Sequence, residues 1–451
     1  MRIHLIAIGG AAMHNLAIAL KYNHHTVTGS DDEIYNPSKE RLAKRGLLPK
    51  TMGWNPDNIT SDIDAIILGM HARIDNPELK KAQKLGLKIY SYPEFIYHHS
   101  KQKQRVVVAG SHGKTTTTSI ILQVLKSNNV DFDFLVGAQL EGFDSMVKLS
   151  DAPIIVLEGD EYLSSPIDRR PKILHYKPHI SIITGIAWDH INVFPTFKNY
   201  KEQFAKYIST IEKDGTLFYY QHDKHLQDIL KQNNYKFEVQ GYEAFPSVQK
   251  KEKTYLLDEK NKQHAIIMFG QHNLENIQAA YLVCKKLGLT DEQFFKALKK
   301  FKGAAKRLQL LSKNKTCHAF LDFAHAPSKV GATIKALKEQ YPKRKLVAFL
   351  ELHTFSSLNK KFLKHYKNKM DKADKAVVYY SEHTLKMKKL PPITPAEVKK
   401  AFNHPNMEVI ISNKKIPTIL NRFKWEDKNL LMMTSGTFGG MDLKQLAKKY
   451  I

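Results

Sequence analysis

Short apolar runs alternate along the chain with longer stretches in which apolar residues recur at helical spacing. Residues 3–10 form the first run and lead into an apolar helical stretch over 11–21, and strand-like runs follow at 25–29 and 65–69. Short runs that are apolar throughout are typical of parallel strands whose two faces are both covered by helices. The pattern therefore predicts an α/β domain at the start of the chain.

The same alternation starts again after residues 97–104, a stretch rich in His, Lys and Gln that we interpret as a linker. The elements predicted for this second segment are strands at 105–109, 153–157 and 179–184, a helix ending near 125, an antiparallel insertion at 215–265, and helices at 273–287 and 291–301. The elements predicted for a third segment are strands at 317–323, 345–350, 376–380 and 429–434, with helices between them. The order of strands and helices thus predicts three α/β domains in series.

Composition adds to this picture without changing the fold class. At 451 residues the chain is longer than one ordinary hydrophobic core supports, and 42% apolar residues with 10% aromatics are typical of folded proteins. No apolar run approaches the roughly 18 residues that a membrane span needs, and the first residues lack the architecture of a signal peptide. We therefore expect a cytoplasmic protein without a membrane partner. Cys284 and Cys317 lie in apolar surroundings without metal-ligand spacing, so both are predicted to be buried thiols.

The formal net charge of +26 would suit a nucleic-acid-binding protein. However, only ten of the 70 Lys and Arg residues are Arg, which is the residue preferred for bidentate contacts with phosphates and bases. The lysines are also dispersed, with only short clusters such as 250–253 and 386–389. We interpret the charge as a lysine-rich surface that attracts anionic ligands, and we expect no nucleic-acid partner.

The most informative motif is Gly110-Ser111-His112-Gly113-Lys114-Thr115-Thr116, which lies between an apolar strand and a helix. Glycines let the backbone turn its N–H groups toward phosphate oxygens, and the start of the helix adds partial positive charge. Lys114 is expected against the β- and γ-phosphates of ATP, and the Thr115 hydroxyl is expected on Mg²⁺. The first glycine of the general pattern is replaced by Val108, so this is a shortened variant. An ordinary strand–helix turn is the alternative, but the flanking elements favour a phosphate loop.

Further polar clusters follow this loop along the chain. They are Glu158-Gly159-Asp160-Glu161, Trp188-Asp189-His190, Gly270-Gln271-His272-Asn273-Leu274-Glu275-Asn276, Lys306-Arg307-Leu308 and Asp322-Phe323-Ala324-His325-Ala326-Pro327. Carboxylates at the carboxyl end of a strand can hold Mg²⁺, although the same residues can form a solvated turn. His190 could be a metal ligand or an ordinary loop residue, and Asn273 is a plausible N-cap. Arg307 could reach a transferred phosphoryl group.

In this order the motifs resemble those of the Mur ligase family, the ATP-dependent amide-forming enzymes of bacterial cell-wall synthesis. The resemblance extends to Thr434–Gly440 near the end of the chain. It implies a Rossmann-like N-terminal domain over 1–103 for the UDP-linked substrate and a central phosphate-loop ATPase domain over 104–303. It further implies a Rossmann-like C-terminal domain over 304–451 for the amine substrate. The sequence departs from the family at Ala11, where the N-terminal turn usually has a third glycine.

The resemblance also implies roles for individual residues. The implied catalytic residues are Lys114, His190 and Arg307, and the implied Mg²⁺ ligands are Thr115, Glu158 and His190. The implied ATP-binding residues are Gly110, Ser111, His112, Gly113, Lys114, Thr115, Thr116, His272, Asn273, Asn276, Arg307 and Asp322. The implied contacts of the UDP substrate are Gly9, Gly10, Ser30, Asp31 and His71.

The acidic turn and the run that follows it, residues 158–176, imply a particular amine substrate. The resemblance implies an enzyme that joins UDP-N-acetylmuramate, through an acyl phosphate, to the tripeptide L-alanyl-γ-D-glutamyl-meso-diaminopimelate in peptidoglycan recycling. L-Alanine as the amine is the alternative within the family. A folylpolyglutamate-type ligase is disfavoured by the complete α/β domain before the phosphate loop. From a different class, a nucleic-acid-binding P-loop NTPase would use the same loop and the positive charge.

Overall fold

The structure is a computed structural model that describes residues 1–188 and 193–451. The chain divides into two compact units, which are described separately. The first unit consists of Met1–Ile186, Lys198–Tyr242 and Ala279–Phe294. The second consists of Ala187–Phe197, Glu243–Gln278 and Phe295–Ile451.

The first unit begins with a four-stranded parallel sheet in the order β2-β1-β3-β4. Its elements are β1 (Arg2–Ile6), α1 (Ala11–Tyr22), β2 (Thr26–Ser30), α2 (Ser38–Ala43), β3 (Ala65–Leu68), α3 (Pro77–Lys84), β4 (Ile89–Ser91) and α4 (Tyr92–His99). Every residue of β3 is buried, which explains why this strand is apolar throughout and not alternating. The predicted N-terminal α/β layout is confirmed.

A seven-stranded sheet follows in the same unit, in the order β11-β10-β9-β5-β8-β6-β7. Its strands and the helices between them are β5 (Gln104–Ala109), α5 (Lys114–Ser127), β6 (Phe132–Leu135), β7 (Val147–Lys148), β8 (Ile154–Glu158), β9 (Ile180–Ile183), α6 (Phe197–Ile208), β10 (Thr216–Tyr220), α7 (Lys224–Leu230) and β11 (Glu238–Tyr242). Strand β5 lies between β9 and β8 and is parallel to both. The loop that follows β5 therefore opens at the carboxyl edge of the sheet, where open α/β sheets bind ligands.

The prediction of an antiparallel insertion over residues 215–265 is wrong for its first half. Strands β10 and β11 pair in parallel and extend the central sheet, because α7 lies between them and carries the chain back to the starting edge. Only β12 (Ser247–Lys250), β13 (Lys253–Leu257) and β14 (Gln263–Ile266) form an antiparallel sheet, which belongs to the second unit.

The second unit also contains a six-stranded sheet in the order β15-β16-β20-β17-β18-β19, in which only β15 is antiparallel to its neighbour. Its elements are β15 (Gln309–Lys313), β16 (His318–Asp322), α10 (Pro327–Gln340), β17 (Lys345–Leu352), β18 (Lys375–Tyr380), α11 (Glu382–Met387), α12 (Pro395–Phe402), β19 (Met407–Ile410), α13 (Lys415–Leu420), β20 (Lys428–Met433) and α14 (Leu443–Tyr450). Buried apolar side chains cover both faces of this sheet in two clusters. The α/β fold class is thus confirmed, whereas the boundaries at 103/104 and 303/304 stay predictions.

Two local predictions are corrected by the structure. The linker expected over 97–104 is shorter than predicted, because α4 continues to His99 and β5 already begins at Gln104, which leaves a turn over 100–103. Helix α8 (Gln271–Lys286) begins two residues before the predicted N-cap, so Asn273 lies inside its first turn, and its side-chain amide donates to the Phe269 carbonyl (2.8 Å). The last predicted helix is α9 (Asp291–Leu298).

Both cysteines are free and fully buried, as predicted. Among the residues that the structure describes, no helix is long and apolar enough to cross a membrane.

Candidate active site

The loop between β5 and α5 is a tight backbone turn built on two glycines. Gly110 has φ +121°, and a Cβ atom there would lie 2.2 Å from the Thr184 hydroxyl. Gly113 has φ +76° and forms the N-cap of α5. Side chains are excluded at both positions by the left-handed backbone, and at Gly110 also by the lack of space. The start of α5 is consequently open toward the place where a phosphate group would lie.

Lys114, the first residue of α5, is held by a chain of buried polar groups. Its ammonium donates to the Gly110 carbonyl and to a Glu161 carboxylate oxygen, each at 2.6 Å. The other Glu161 oxygen accepts from the Tyr200 hydroxyl (2.8 Å), which also lies 2.8 Å from the Ser111 hydroxyl. Glu161 and Tyr200 are buried, and the Lys114 side chain is 15% exposed. The network joins the phosphate loop, the acidic turn after β8, and α6.

These surroundings keep the Lys114 side chain positively charged. Burial by itself lowers the pKa of a lysine, but the carboxylates of Glu161, Asp160 and Glu158 outweigh burial and hold the pKa of Lys114 above its usual value. The ammonium is therefore charged at neutral pH and can neutralise a phosphoryl group.

Thr115 and Glu158 form a second pair directly beside Lys114. The Thr115 hydroxyl donates to one Glu158 oxygen and the Gly137 amide donates to the other, each at 2.8 Å. A Cβ atom at Gly137 would lie 2.8 Å from the same carboxylate, so this position admits only glycine without displacement. A hydroxyl and a carboxylate are hard oxygen donors that suit Mg²⁺, which keeps several water or phosphate ligands of its own.

The third predicted metal ligand, His190, lies outside the described residues. Within residues 1–188 and 193–451, no group of three or more His, Cys, Asp or Glu side chains is arranged to hold a metal ion by itself.

The residues predicted to contact the UDP substrate lie at or after the carboxyl ends of the neighbouring strands β1, β2 and β3. The Gly9 amide donates to Asp31 (2.7 Å), and a Cβ atom at Gly10 would lie 3.7 Å from the His71 ring. Burial raises the pKa of Asp31 to about 6, although the Gly9 amide favours its charged form. The Ser30 hydroxyl is buried and donates to Glu78, so this hydroxyl already has a protein acceptor.

A cavity of about 180 Å³ lies between this N-terminal turn and the phosphate loop, within the first unit. Its polar lining consists of Tyr92, Lys114, Glu158, Asp160, Lys172 and Tyr176, and its apolar lining includes Ala11, Ala12, Leu135, Val136, Met146 and Val147. Lys172 donates to Asp160 (2.6 Å). The residues contributed by the run 158–176 thus reach the same space as Lys114.

In the second unit, Asp322 orders the segment that carries Arg307. Its carboxylate accepts from the Leu308 amide (2.6 Å) and the Ala324 amide (2.7 Å). The Arg307 guanidinium lies over the ring of Phe323, 4.7 Å from its centroid. Backbone amides therefore use much of the hydrogen-bond acceptor capacity of the Asp322 carboxylate, and these bonds order the loop.

His272 at the start of α8 belongs to the same neighbourhood of the second unit. Burial lowers its pKa, and the carboxylate of Asp322 partly offsets that effect. Asn276, one turn further along α8, is buried. A neutral imidazole and a buried amide are groups that can form hydrogen bonds with a nucleobase.

A second polar cluster of this unit lies at the carboxyl ends of β17 and β20. Glu351 is buried and accepts from the Phe438 amide (2.9 Å) and from the Thr434 hydroxyl, which in turn accepts from the Gly436 amide (2.7 Å). His353 lies 3.9 Å from the same carboxylate. The adjacent parallel strands therefore bring together two segments, 351–354 and 435–440, that are 80 residues apart in the chain.

Sequence reasoning missed several groups of the first unit. Glu161 was part of a recognised motif but had no assigned role, and Tyr200, Gly137 and Tyr92 carried no signal of their own. These residues acquire a role only through contacts with segments distant in the chain.

The comparisons with known proteins agree with this geometry. Residues 2–104 match the description "Mur ligase family, catalytic domain", and residues 108–284 match "Mur ligase middle domain". A UDP-N-acetylmuramate–L-alanine ligase from Caldicellulosiruptor saccharolyticus is 31% identical over 396 residues, which cover 84% of this chain and 83% of that protein.

Two solved structures extend the likeness. A UDP-N-acetylmuramate–alanine ligase from Thermotoga maritima superposes with a TM-score of 0.72 at 20% identity, covering 100% of this chain and 98% of its own. A UDP-N-acetylmuramate:L-alanyl-γ-D-glutamyl-meso-diaminopimelate ligase from Neisseria meningitides superposes with a TM-score of 0.61 at 25% identity, covering 67% of this chain and 98% of its own. The first of these likenesses concerns the fold alone.

Proposed function

This chain belongs to the Mur ligase family of ATP-dependent ligases, and we propose that within it the enzyme joins UDP-N-acetylmuramate to L-alanyl-γ-D-glutamyl-meso-diaminopimelate. The observation that supports this choice most directly is the run 158–176. Its residues Lys172 and Tyr176 line the cavity beside Lys114, and its Asp168 forms an ion pair with Arg170 (2.7 Å) and lies 3.2 Å from the His175 ring. The run is therefore a structured part of the candidate active site.

The reaction we propose proceeds in two steps. The carboxylate of UDP-N-acetylmuramate attacks the γ-phosphorus of ATP, ADP leaves, and an acyl phosphate forms. The α-amine of the tripeptide then attacks the acyl carbon, the amide bond forms, and inorganic phosphate leaves with the proton lost from the amine. ATP thus converts a poor leaving oxygen into a good one, and the protein contributes positioning and charge neutralisation.

Lys114 is the residue of the first unit that best fits charge neutralisation, because its ammonium is charged and lies at the start of α5. Thr115 and Glu158 are the residues that would hold Mg²⁺, which when bound neutralises phosphate charge. The same proposal includes further contacts with ATP and a cytoplasmic location. Arg307 is assigned to the transferred phosphoryl group and Asp322 to the ribose. The residues assigned to the adenine are His272, Asn273 and Asn276.

The UDP half of the acid substrate is assigned by this proposal to the turn that contains Gly9 and Gly10, beside Asp31 and His71. The amine is assigned to the edge formed by Glu351 and Thr434. A buried carboxylate with a histidine 3.9 Å away suits recognition of a substrate that carries both amino and carboxylate groups.

L-Alanine as the amine substrate is the second candidate. It is favoured by the sequence relatives, since the L-alanine ligase from Caldicellulosiruptor saccharolyticus is 31% identical to this chain. The two candidates share the acid substrate and the phosphate loop, so they differ only in the amine.

The deciding experiment measures phosphate release with UDP-N-acetylmuramate, ATP and Mg²⁺ in the presence of either the tripeptide or L-alanine. We expect rapid release with the tripeptide and at most a slow background with L-alanine, together with an amide product of the corresponding mass. The same assay without UDP-N-acetylmuramate gives the uncoupled ATPase rate. Rapid turnover with L-alanine alone would reverse the assignment of the amine.

A further inference from the structure

Tyr92, the first residue of α4, has a buried hydroxyl group without a protein partner. The residue is 5% exposed, and among the described residues its oxygen has no hydrogen-bond partner. The phenol is uncharged at neutral pH, since its ordinary pKa is about 10 and burial raises it further. A buried hydroxyl donor without an acceptor is unfavourable, so such groups in folded proteins usually meet a ligand or an ordered water.

The place of this hydroxyl in the fold suggests which ligand it meets. Tyr92 lines a cavity that Lys114 and Ala11 also line, and Ala11 directly follows the Gly9–Gly10 turn in the chain. At about 180 Å³ the cavity is much larger than the space that one water needs. Its lining thus includes both the lysine proposed to meet the ATP phosphates and a residue next to the turn proposed for the UDP group.

We propose that Tyr92 is a positioning residue for the acid substrate and donates a hydrogen bond to the lactyl carboxylate of UDP-N-acetylmuramate. This inference rests on the proposed function, in which that carboxylate must approach the γ-phosphate beside Lys114 while the UDP group lies against the N-terminal turn. The arm that bears the carboxylate then crosses this cavity.

Part of the remaining lining suits the chemistry of that arm, while Glu158 and Asp160 add negative charge to the same cavity. Lys172 supplies a second cation, which in the structure pairs with Asp160 at 2.6 Å. Leu135 and Val136 form an apolar wall that suits the lactyl methyl group. A phenol donor on one carboxylate oxygen fixes the direction of the group and leaves the other oxygen to attack phosphorus.

The test compares two ligands that differ in the lactyl group. UDP-N-acetylglucosamine has the same UDP and sugar as UDP-N-acetylmuramate but lacks the lactyl ether and its carboxylate. Calorimetric titration without ATP gives the affinity of each ligand for the wild-type protein and for Tyr92→Phe. We expect the variant to bind UDP-N-acetylmuramate roughly tenfold more weakly, because one hydrogen bond to a charged group is lost. Its affinity for UDP-N-acetylglucosamine should be unchanged.

Tyr207→Phe is the matched control. Tyr207 is also fully buried, but its hydroxyl already lies 2.8 Å from the Ser181 hydroxyl, and it does not line the cavity. This variant should bind both ligands like the wild type and should melt at a lower temperature. Tyr92→Phe should melt at the same temperature as the wild type or higher, because it removes an unpaired buried hydroxyl.

The results that would contradict the role of Tyr92 differ from those that would contradict the proposed reaction. If Tyr92→Phe binds UDP-N-acetylmuramate as tightly as the wild type, or loses affinity equally for both ligands, the role of Tyr92 is wrong and the proposed reaction stands. If the wild-type protein does not prefer UDP-N-acetylmuramate over UDP-N-acetylglucosamine, the acid substrate itself is wrong and the role of Tyr92 falls with it.

Discussion

Lys114 belongs both to the proposed ligand site and to the buried interior of the first unit. Its ammonium forms a buried ion pair with Glu161, whose second oxygen is bonded to Tyr200. Removing one partner of a buried pair leaves the other charge uncompensated, which typically costs about 3–5 kcal/mol. An effect of a Lys114 substitution on activity therefore has to be separated from its effect on stability.

Lys114→Ala should lower both activity and stability. We expect ligase activity to fall by at least about a thousandfold, since a charge that stabilises phosphoryl transfer is lost, and the free energy of unfolding to fall by about 3 kcal/mol. Adding Glu161→Gln should restore most of the stability without restoring activity. Phosphate release and denaturant unfolding measure the two effects, and near-normal activity of Lys114→Ala would contradict the phosphate-loop assignment.

The chain offers a matched control for this prediction. Lys103 and Asp133 form another buried pair of the first unit, with an N–O distance of 2.9 Å, and no proposed ligand lies there. Lys103→Ala should destabilise the protein to a similar degree, while its folded fraction keeps the specific activity of the wild type.

The sequence motifs were sufficient to predict that Lys114, Thr115 and Glu158 lie together, because their positions follow from local backbone geometry and from strand order. The motifs did not predict the contact of Tyr200 with Glu161. Tyr200 lies 39 residues after Glu161, and a tyrosine at such a position is common in amphipathic helices. Its hydroxyl meets the carboxylate only because α6 packs against the carboxyl edge of the sheet. Such a contact depends on tertiary packing, which residue patterns along one chain do not encode.

At the scale of elements, the connection between β5 and α5 determines where a phosphate can bind. The turn requires a left-handed backbone at Gly110, and Thr184 at the end of β9 closes the space around it by donating to the His112 carbonyl. The central position of β5 thus places neighbouring strands on both sides of the loop.

Gly110→Ala should disrupt this connection. The added methyl group would overlap the Thr184 hydroxyl, so either the loop or the end of β9 must move. We expect a loss of stability of about 2–4 kcal/mol from crowding and from the left-handed backbone, and loss of ATP binding in calorimetric titration. Gly288→Ala is the control, because Gly288 also has positive φ, +87°, but open space around it. Normal ATP binding by Gly110→Ala would show that the loop tolerates a different path.

The elements that the sequence predicted best are the fully buried parallel strands, such as β3 and β5, because burial on both faces leaves an unbroken apolar run. Strand β11 was predicted to belong to an antiparallel insertion because its segment shows alternating strand patterns and turn residues. In the structure it is an edge strand with three of its five residues exposed, so it lacks the unbroken apolar run of a buried parallel strand. The start of α8 was misplaced because Asn273 is a typical N-cap, whereas here Gly270, with φ +88°, allows the helix to begin earlier.

At the scale of the whole molecule, we expect the net charge of +26 to affect the encounter with both proposed anionic substrates. ATP and UDP-N-acetylmuramate each carry several negative charges, and dispersed lysines raise their concentration near the surface. Salt screens this attraction, because the Debye length falls from about 30 Å at 0.01 M to about 8 Å at 0.15 M.

We therefore expect KM for ATP to rise several-fold between these two salt concentrations while kcat changes little. Binding of uncharged adenosine, measured by calorimetry, should be unaffected and serves as the control.

A gel shift with duplex DNA at physiological ionic strength should show no stable complex. A complex that persists at that salt concentration would favour a nucleic-acid-binding function.

The pairing of Lys114 with Glu161 has a consequence for the end of each catalytic cycle. The ammonium already has an internal anion, so an incoming phosphate must compete with a carboxylate that is held in place by Tyr200. The same carboxylate can reclaim the ammonium once inorganic phosphate has formed. Glu161 would thus weaken product inhibition by phosphate, and we expect Glu161→Gln to bind inorganic phosphate more tightly and to release it more slowly.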